Sequence, residues 1–122
     1  MIYGIGVDTT TIERIERTMT HESFMTRVFG ENERAMFEQR KNRAETVAAN
    51  FAAKEALGKA LATGLSGFVW SEAEALRGEK GEPYFRFSGA LEYFIRENNI
   101  TAHLSLTHEG GFSTAFVVLE QP

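Results

Sequence analysis

The sequence contains no cysteine. A chain without cysteine has no disulfide framework, no thiolate zinc site and no thiol nucleophile. The absence agrees with a reducing compartment but does not prove one.

Long apolar runs are also missing. No apolar stretch approaches the ~20 residues that would cross a bilayer. The N-terminal segment has no basic residue, and Gly4, Gly6 and Asp8 interrupt its apolar pattern, so we expect that this segment is not a signal peptide. We therefore expect a soluble, cytosolic protein.

Positive charge is scarce for a nucleic-acid-binding protein. Thirteen Lys and Arg face seventeen Asp and Glu, which gives a net charge of −4. Because neutralisation of phosphate supplies most of the affinity for a duplex, this balance argues against nucleic acid, although a local basic patch stays possible. The sequence also has no G-x-S-x-G elbow and no Walker phosphate loop. His103 and His108 do not form a zinc-binding spacing with other ligands.

The length of 122 residues fits one domain, residues 1–122, of α+β class. We expect an N-terminal strand, helices, and C-terminal antiparallel strands. The first predicted elements are a strand at 2–7, a helix through Met19 capped by Thr9–Thr11, and a short helix at 32–39. A long alanine-rich helix at 44–63, capped by Gly64, an extended segment at 68–77 and a turn at 78–83 follow. The chain then continues with a strand at 84–87, a helix after Ser88 that ends at Asn98-Asn99, and a hairpin of strands 101–108 and 112–120.

Glu55 is the first candidate for chemistry. The helical rotation of ~100° per residue places it on the apolar face of the long helix, between Phe51 and Gly58, with Lys54 at one edge of that face. A carboxylate on the core side of a helix must be paired, protonated or bound to a metal. The simplest interpretation is an ion pair with Lys59, one turn later, worth only a few tenths of a kcal/mol.

Asp8 is the second candidate. It ends the first strand, and its same-face neighbours are glycines. It could cap the following helix. It could also join Glu55 in a Mg²⁺ site, since that ion prefers a few carboxylates together with waters and phosphate oxygens.

The strand at 101–107 alternates strictly. Ala102, Leu104 and Leu106 point inward, and Thr101, His103, Ser105 and Thr107 share the other face. This polar row is either an ordinary solvated face or a set of donors for phosphate oxygens.

Several segments together resemble the holo-acyl-carrier-protein synthase family of 4′-phosphopantetheinyl transferases. They fall in the family's order and cover nearly the whole chain. The segments are Gly4–Asp8 (Gly-Ile-Gly-Val-Asp), Ile12–Ile15 (Ile-Glu-Arg-Ile), Phe51–Ala56 (Phe-Ala-Ala-Lys-Glu-Ala), Lys59-Ala60, Thr63-Gly64, Gly81–Pro83 (Gly-Glu-Pro) and His103–His108 (His-Leu-Ser-Leu-Thr-His).

The resemblance implies an enzyme that moves the 4′-phosphopantetheine arm of coenzyme A to a serine of apo acyl carrier protein for fatty acid biosynthesis. The other product is adenosine 3′,5′-bisphosphate. By resemblance, Asp8 and Glu55 bind Mg²⁺, and Glu55 and Lys59 serve catalysis, Lys59 by contacting the donor phosphates. The remaining implied coenzyme A contacts are Gly64, Pro83, His103 and Thr107.

The resemblance also implies partners. Arg14 and Arg17 lie on the helix that docks the acidic carrier protein. Members of the family are typically homotrimers with active sites between subunits. The chemistry needs charge neutralised on phosphate oxygens and an acceptor hydroxyl held in line. Either Glu55 or a metal-bound hydroxide would take the serine proton.

The sequence departs from the family pattern at two positions. Asn50 stands where the family often has Arg, a position associated with the 3′-phosphate of the donor, and Lys41 and Arg43 are possible substitutes. Ala62 stands where the family commonly has Gly.

Two other functions compete with the transferase. The runner-up is a non-catalytic module that binds coenzyme A or a nucleotide, and the presence of both carboxylates argues against it. An α+β RNA-binding domain is the third, and the net charge opposes it.

Overall fold

The computed structural model describes residues 1–62 and 67–122, and confirms the expected α+β class. The strands are β1 (Ile2–Thr11), β2 (Ala73–Arg77), β3 (Pro83–Phe87), β4 (Thr101–Glu109) and β5 (Phe112–Glu120). The helices are α1 (Ile12–Thr18), α2 (Glu22–Val28), α3 (Glu31–Gln39), α4 (Ala44–Leu61) and α5 (Gly89–Glu97), with a short 3₁₀ helix at Trp70–Glu72. Within these described ranges, no helix is long and apolar enough to cross a membrane.

The larger sheet has the order β1-β5-β4 and is antiparallel throughout. The predicted C-terminal hairpin is confirmed, and Gly110 and Gly111 form its turn with φ of 59° and 86°. Positive φ at both central positions suits a tight hairpin turn, and glycine adopts it without steric cost. The first strand pairs with the last, so both chain ends lie in one sheet. Strands β2 and β3 form a separate two-stranded sheet.

Helix α4 packs directly on the glycine face of β1. A β-carbon added at Gly4 would overlap the carbonyl oxygen of Ala60, and one added at Gly6 would overlap that of Ala56. The bare strand backbone therefore lets the helix backbone approach closely. This contact fixes α4 over the inner face of β1, the face that also carries Asp8.

A second core lies on another side of α4. Ile15 of α1, Val28 of α2 and Phe37 of α3 are buried there against Val47 and Phe51 of the long helix. Because α4 has partners on several sides, it is buried almost all round. The sequence pattern had placed Lys54 at the edge of the apolar face, and this is wrong, since Lys54 is completely buried.

Several predicted boundaries move. Thr9–Thr11 continue β1 because they pair with Thr114–Phe112 of β5, so they do not cap a helix together, although Thr11 precedes α1. Helix α1 ends at Thr18 and not at Met19. Helix α4 ends at Leu61, followed by Ala62 with φ of 58°, and the predicted cap Gly64 lies outside the described residues. Helix α2 was not predicted.

Candidate active site

Asp8 and Lys59 meet where the inner face of β1 lies against α4. Lys59 Nζ is 3.4 Å from Asp8 Oδ1 and donates to the carbonyl oxygen of Val7 at 2.9 Å. Asp8 lies inside the strand and accepts a hydrogen bond from Thr10 Oγ1 at 3.0 Å. The interpretation of Asp8 as a helix cap is therefore wrong. Lys59 forms its ion pair with Asp8, so a simple pair between Glu55 and Lys59 does not describe this site.

Glu55 lies one helical turn before Lys59 and is partly buried. Burial is the main cause that raises the pKa of Glu55, and the negative charge of Asp8 raises it further. The positive charges of Lys59 and Arg14 act in the opposite direction. Two carboxylates and two cations thus lie within electrostatic range of one another, on one side of the sheet.

The two carboxylates fit a divalent cation. They repel each other, and a cation between them would remove the repulsion that raises the pKa of Glu55. Within residues 1–62 and 67–122 there is no cluster of three or more His, Cys, Asp or Glu that could hold a metal. A site with two protein carboxylates suits Mg²⁺, which keeps waters and takes phosphate oxygens from a substrate.

A basic cavity of about 450 Å³ lies between the α3–α4 junction, the β2–β3 turn and the end of β4. Its wall includes Pro83 and Thr107, two of the residues implied in coenzyme A binding. The cationic residues of the lining are Arg40, Lys41, Arg43 and Arg77. Glu45 is the carboxylate among the lining residues. The cavity therefore suits an anionic ligand.

His103 lies apart from this cavity. Its side chain is on the outer face of the sheet, where Nε2 is 2.9 Å from Glu120 Oε1. Thr107 lies on the same outer face, four positions further along β4, whereas Asp8 lies on the inner face. Within one chain, Pro83 and Thr107 lie together in the wall of the basic cavity. Asp8, Glu55 and Lys59 form a separate group where β1 lies against α4. Gly64 lies outside the described residues.

Arg14 and Arg17 of α1 are both exposed, as predicted. Arg17 Nη1 is 3.0 Å from Glu13 Oε1, and Arg14 Cζ lies 5.2 Å from the ring centre of Phe51. Phe51 also lines an apolar groove of about 450 Å³ together with Phe24, Arg27, Val28, Val69 and Trp70. Sequence reasoning missed this groove because helix α2, which contributes Phe24, Arg27 and Val28 to it, was not predicted.

The outer face of the larger sheet exposes apolar side chains. Ile5, Val7 and Phe116 retain 60%, 52% and 45% of their accessible surface. Val7 pairs with Phe116, and Ile5 pairs with Val118 one step along, so these side chains are contiguous. A contiguous exposed apolar face is typical of a protein–protein interface.

The chain matches the 4′-phosphopantetheinyl transferase superfamily over residues 4–117. It therefore belongs to that superfamily.

The similar proteins narrow the assignment. The holo-[acyl-carrier-protein] synthase of Trichlorobacter lovleyi is 42% identical, with all of both chains covered. The crystal structure of holo-[acyl-carrier-protein] synthase from Neisseria meningitidis has a TM-score of 0.90 at 34% identity, over 99% of this chain and 100% of that one. The synthase from Bacillus anthracis, in complex with CoA (3′,5′-ADP), has a TM-score of 0.84 at 35% identity, over 100% and 99%. Within the superfamily, the chain falls in the holo-[acyl-carrier-protein] synthase family, which confirms the resemblance seen in the sequence.

Proposed function

We propose that this chain transfers the 4′-phosphopantetheine group of coenzyme A to a serine of apo acyl carrier protein, with Mg²⁺ held by Asp8 and Glu55. The observation that carries the proposal is the meeting of Asp8, Glu55 and Lys59 beside the glycine face of β1. Two oxygen ligands and a lysine are the groups that a phosphate transfer without an enzyme nucleophile requires.

The reaction forms one P–O bond, breaks another and passes the serine proton to a base. The serine oxygen of the carrier protein attacks the phosphorus that bears pantetheine, and the bond from that phosphorus to the bridging oxygen breaks. Adenosine 3′,5′-bisphosphate leaves with the bridging oxygen. When bound, Mg²⁺ would neutralise charge on the phosphate oxygens.

Lys59 and Glu55 would act at defined atoms. Lys59 Nζ, half exposed and held near Asp8, reaches toward any phosphate oxygen bound there and stabilises its negative charge. Glu55 is a candidate base for the serine proton, because it is a carboxylate beside Lys59 whose partial burial raises its pKa.

The nucleotide end of coenzyme A would bind in the basic cavity. Pro83 and Thr107 lie in its wall, and its four cationic residues complement a phosphorylated nucleotide. We also assign His103 and Gly64 to the donor site on the strength of the family resemblance.

The exposed apolar face and the separation of the donor residues support a homotrimer with active sites between subunits. His103 is on the outer face of the sheet, and Asp8 is on its inner face. One chain therefore does not present both side chains to the same ligand. Burial of Ile5, Val7 and Phe116 against a second copy would bring the outer face of one subunit near the carboxylates of another.

Arg14 and Arg17 would dock the acidic carrier protein. The apolar groove beside Arg14 adds a surface that the apolar side chains of a helical partner could fill. Basic residues around such a groove steer encounter and add specificity.

Mass spectrometry tests the proposed function. The protein is incubated with coenzyme A, Mg²⁺ and an apo acyl carrier protein, and the carrier is weighed. We expect the carrier to gain one phosphopantetheine group, and we expect no gain with a chelator or with a carrier whose acceptor serine is alanine. A non-catalytic module would bind coenzyme A and leave the carrier mass unchanged, and an RNA-binding domain would do neither.

A further inference from the structure

Asn50 occupies the position where the family often has an arginine, and its side chain does not line the basic cavity. It is completely buried. Its Nδ2 donates to Glu33 Oε2 and to the carbonyl oxygen of Ala75, both at 2.8 Å. Its Oδ1 accepts a hydrogen bond from Arg77 Nη2 at 2.7 Å. Asn50 is therefore a fixed support that holds a guanidinium.

Arg77 is held in the cavity wall by three hydrogen bonds. Besides its bond to Asn50, Nη1 donates to the carbonyl oxygens of Ala75 at 3.2 Å and Leu76 at 3.3 Å. A guanidinium has five N–H groups. Among residues 1–62 and 67–122, these three bonds leave two N–H groups of Arg77 for a ligand in the cavity that it lines.

Arg77 is also a cation without a carboxylate partner. Across residues 1–62 and 67–122, no carboxylate oxygen lies within 4.0 Å of its side-chain nitrogens. Burial and, to a smaller extent, the charge of Arg40 lower the pKa of Arg77 to about 10 against the opposing attraction of Glu33, so the side chain stays protonated at neutral pH. The carboxylate in the lining, Glu45, lies within 4.0 Å of Arg43 and 3.9 Å of His108. An anion in the cavity would relieve the repulsion between Arg77 and Arg40.

We propose that Arg77, anchored on Asn50, is a specificity-determining residue that binds the terminal 3′-phosphate of the donor nucleotide. The inference rests on the proposed function, since it assumes a coenzyme A donor. Arg77 thereby supplies the guanidinium that the family pattern places at position 50. A pre-oriented guanidinium binds a phosphomonoester through two parallel N–H bonds, which an exposed and flexible Lys41 does not do.

The ratio of Michaelis constants for 3′-dephospho-coenzyme A and coenzyme A tests the proposal. The enzyme is assayed as wild type, Arg77→Gln and Arg86→Gln, the last being an exposed arginine of the neighbouring strand β3 that does not line the cavity. Loss of charge-assisted hydrogen bonds should raise the constant for coenzyme A by ~10–100-fold in Arg77→Gln. The constant for 3′-dephospho-coenzyme A should stay unchanged, so the ratio falls toward one. Arg86→Gln should keep the wild-type ratio.

The outcomes separate the two proposals. A wild type that transfers from neither donor contradicts the proposed function. If the wild type transfers normally, two results would overturn the role of Arg77. One is that the Michaelis constants for both donors rise equally in Arg77→Gln, and the other is that the ratio in Arg77→Gln equals that in Arg86→Gln. If Arg77→Gln unfolds at a lower temperature than the wild type, Arg77→Lys is the deciding variant, because it keeps the charge but loses the paired N–H groups. We expect its ratio of Michaelis constants to be several-fold below that of the wild type. A fully retained ratio would also overturn the proposal.

Discussion

Two lysines of helix α4 lie five positions apart and should respond oppositely to the same change. Lys54 Nζ is 2.8 Å from Glu33 Oε1, and both side chains are completely buried. Lys59 is half exposed beside Asp8. We predict that Lys54→Met lowers stability and that Lys59→Met lowers activity. Each replacement keeps the length and removes the charge.

The magnitudes follow from burial. Removal of one partner of a buried ion pair leaves the other charge uncompensated, which typically costs about 3–5 kcal/mol. Lys54 also donates to the carbonyl oxygens of Trp70 at 3.0 Å and of Ala73, so its loss leaves two further acceptors without this donor. An exposed pair such as Lys59 with Asp8 contributes at most ~1 kcal/mol to folding. Loss of one electrostatic stabiliser at the donor phosphates costs ~2–4 kcal/mol in the transition state.

The cost of Lys54→Met should depend on pH in a defined direction. Burial already raises the pKa of Glu33, and Lys54 opposes that rise. Without Lys54, the pKa of Glu33 in the folded protein rises further above its unfolded value. The folded state then binds a proton more readily than the unfolded state, so stability is retained at low pH and lost as pH rises above about 4.5. Lys54→Met should therefore lie closer to wild type at pH 5 than at pH 8.

Urea unfolding at one fixed protein concentration measures the loss of stability in Lys54→Met, and steady-state transfer measures the loss of activity in Lys59→Met. The double variant Lys54→Met/Glu33→Gln is the control, because it removes both charges and should recover part of the lost free energy of unfolding. If Lys54→Met unfolded at the same urea concentration as Lys59→Met, the buried pair would not have the structural role that we assign to it. Normal turnover in Lys59→Met would remove that lysine from the donor site.

Three further predictions concern the metal, the assembly and the partner. Asp8→Asn and Glu55→Gln should each abolish Mg²⁺-dependent transfer in a folded protein, and near-normal turnover in either variant would exclude that residue from the metal site. The rise in the melting temperature of the wild type on adding Mg²⁺ should shrink as pH falls, because protons compete with the metal for Glu55, whose pKa is raised. Ile5→Lys should give inactive monomers in light scattering in place of the proposed homotrimer, while Tyr93→Lys, at an exposed position of α5, should leave the assembly unchanged. An active monomeric wild type would refute the shared site. Arg14→Ala should raise the Michaelis constant for the carrier protein and not for coenzyme A, and salt raised from roughly 0.01 M to 1 M, which shortens the screening length about tenfold, should mimic it; a change confined to the coenzyme A constant would move the helix to the donor site.

The fold class and most elements could be predicted because their signals are local. Alternation in the C-terminal strands, the Gly110-Gly111 turn and the alanine-rich helix each depend on neighbouring residues. The extension of β1 to Thr11 could not be predicted in this way, since it depends on pairing with β5 at the other end of the chain. Helix α2 was missed because its seven residues carry too few apolar positions to define a period.

The contrast between Glu55 and Lys54 shows where sequence reasoning about the site ends. Helical periodicity placed Glu55 on the buried face, and the structure leaves it partly exposed beside Asp8 and Lys59. The same periodicity placed Lys54 at an edge, and the structure buries it with Glu33. A single apolar stripe assumes one packing partner, whereas α4 has the sheet on one side and the second core on another. The family motifs predicted Asp8, Glu55 and Lys59 as one group, and the packing separates them from Lys54, which is buried against Glu33.

The two faces of strand β1 have different roles, one in the candidate active site and the other in the candidate subunit interface. On the inner face, Gly4 and Gly6 permit contact with α4, and that contact sets Asp8 beside Lys59. On the outer face, Ile5 and Val7 alternate with those glycines and remain exposed in the single chain. An alternation of period two fixes both faces at once, so a shift of one residue in the pairing with β5 would lose the helix contact and the apolar face together. The continuous register from Gly4 to Thr11 against β5 therefore stabilises the candidate active site and the candidate subunit interface by the same set of backbone hydrogen bonds.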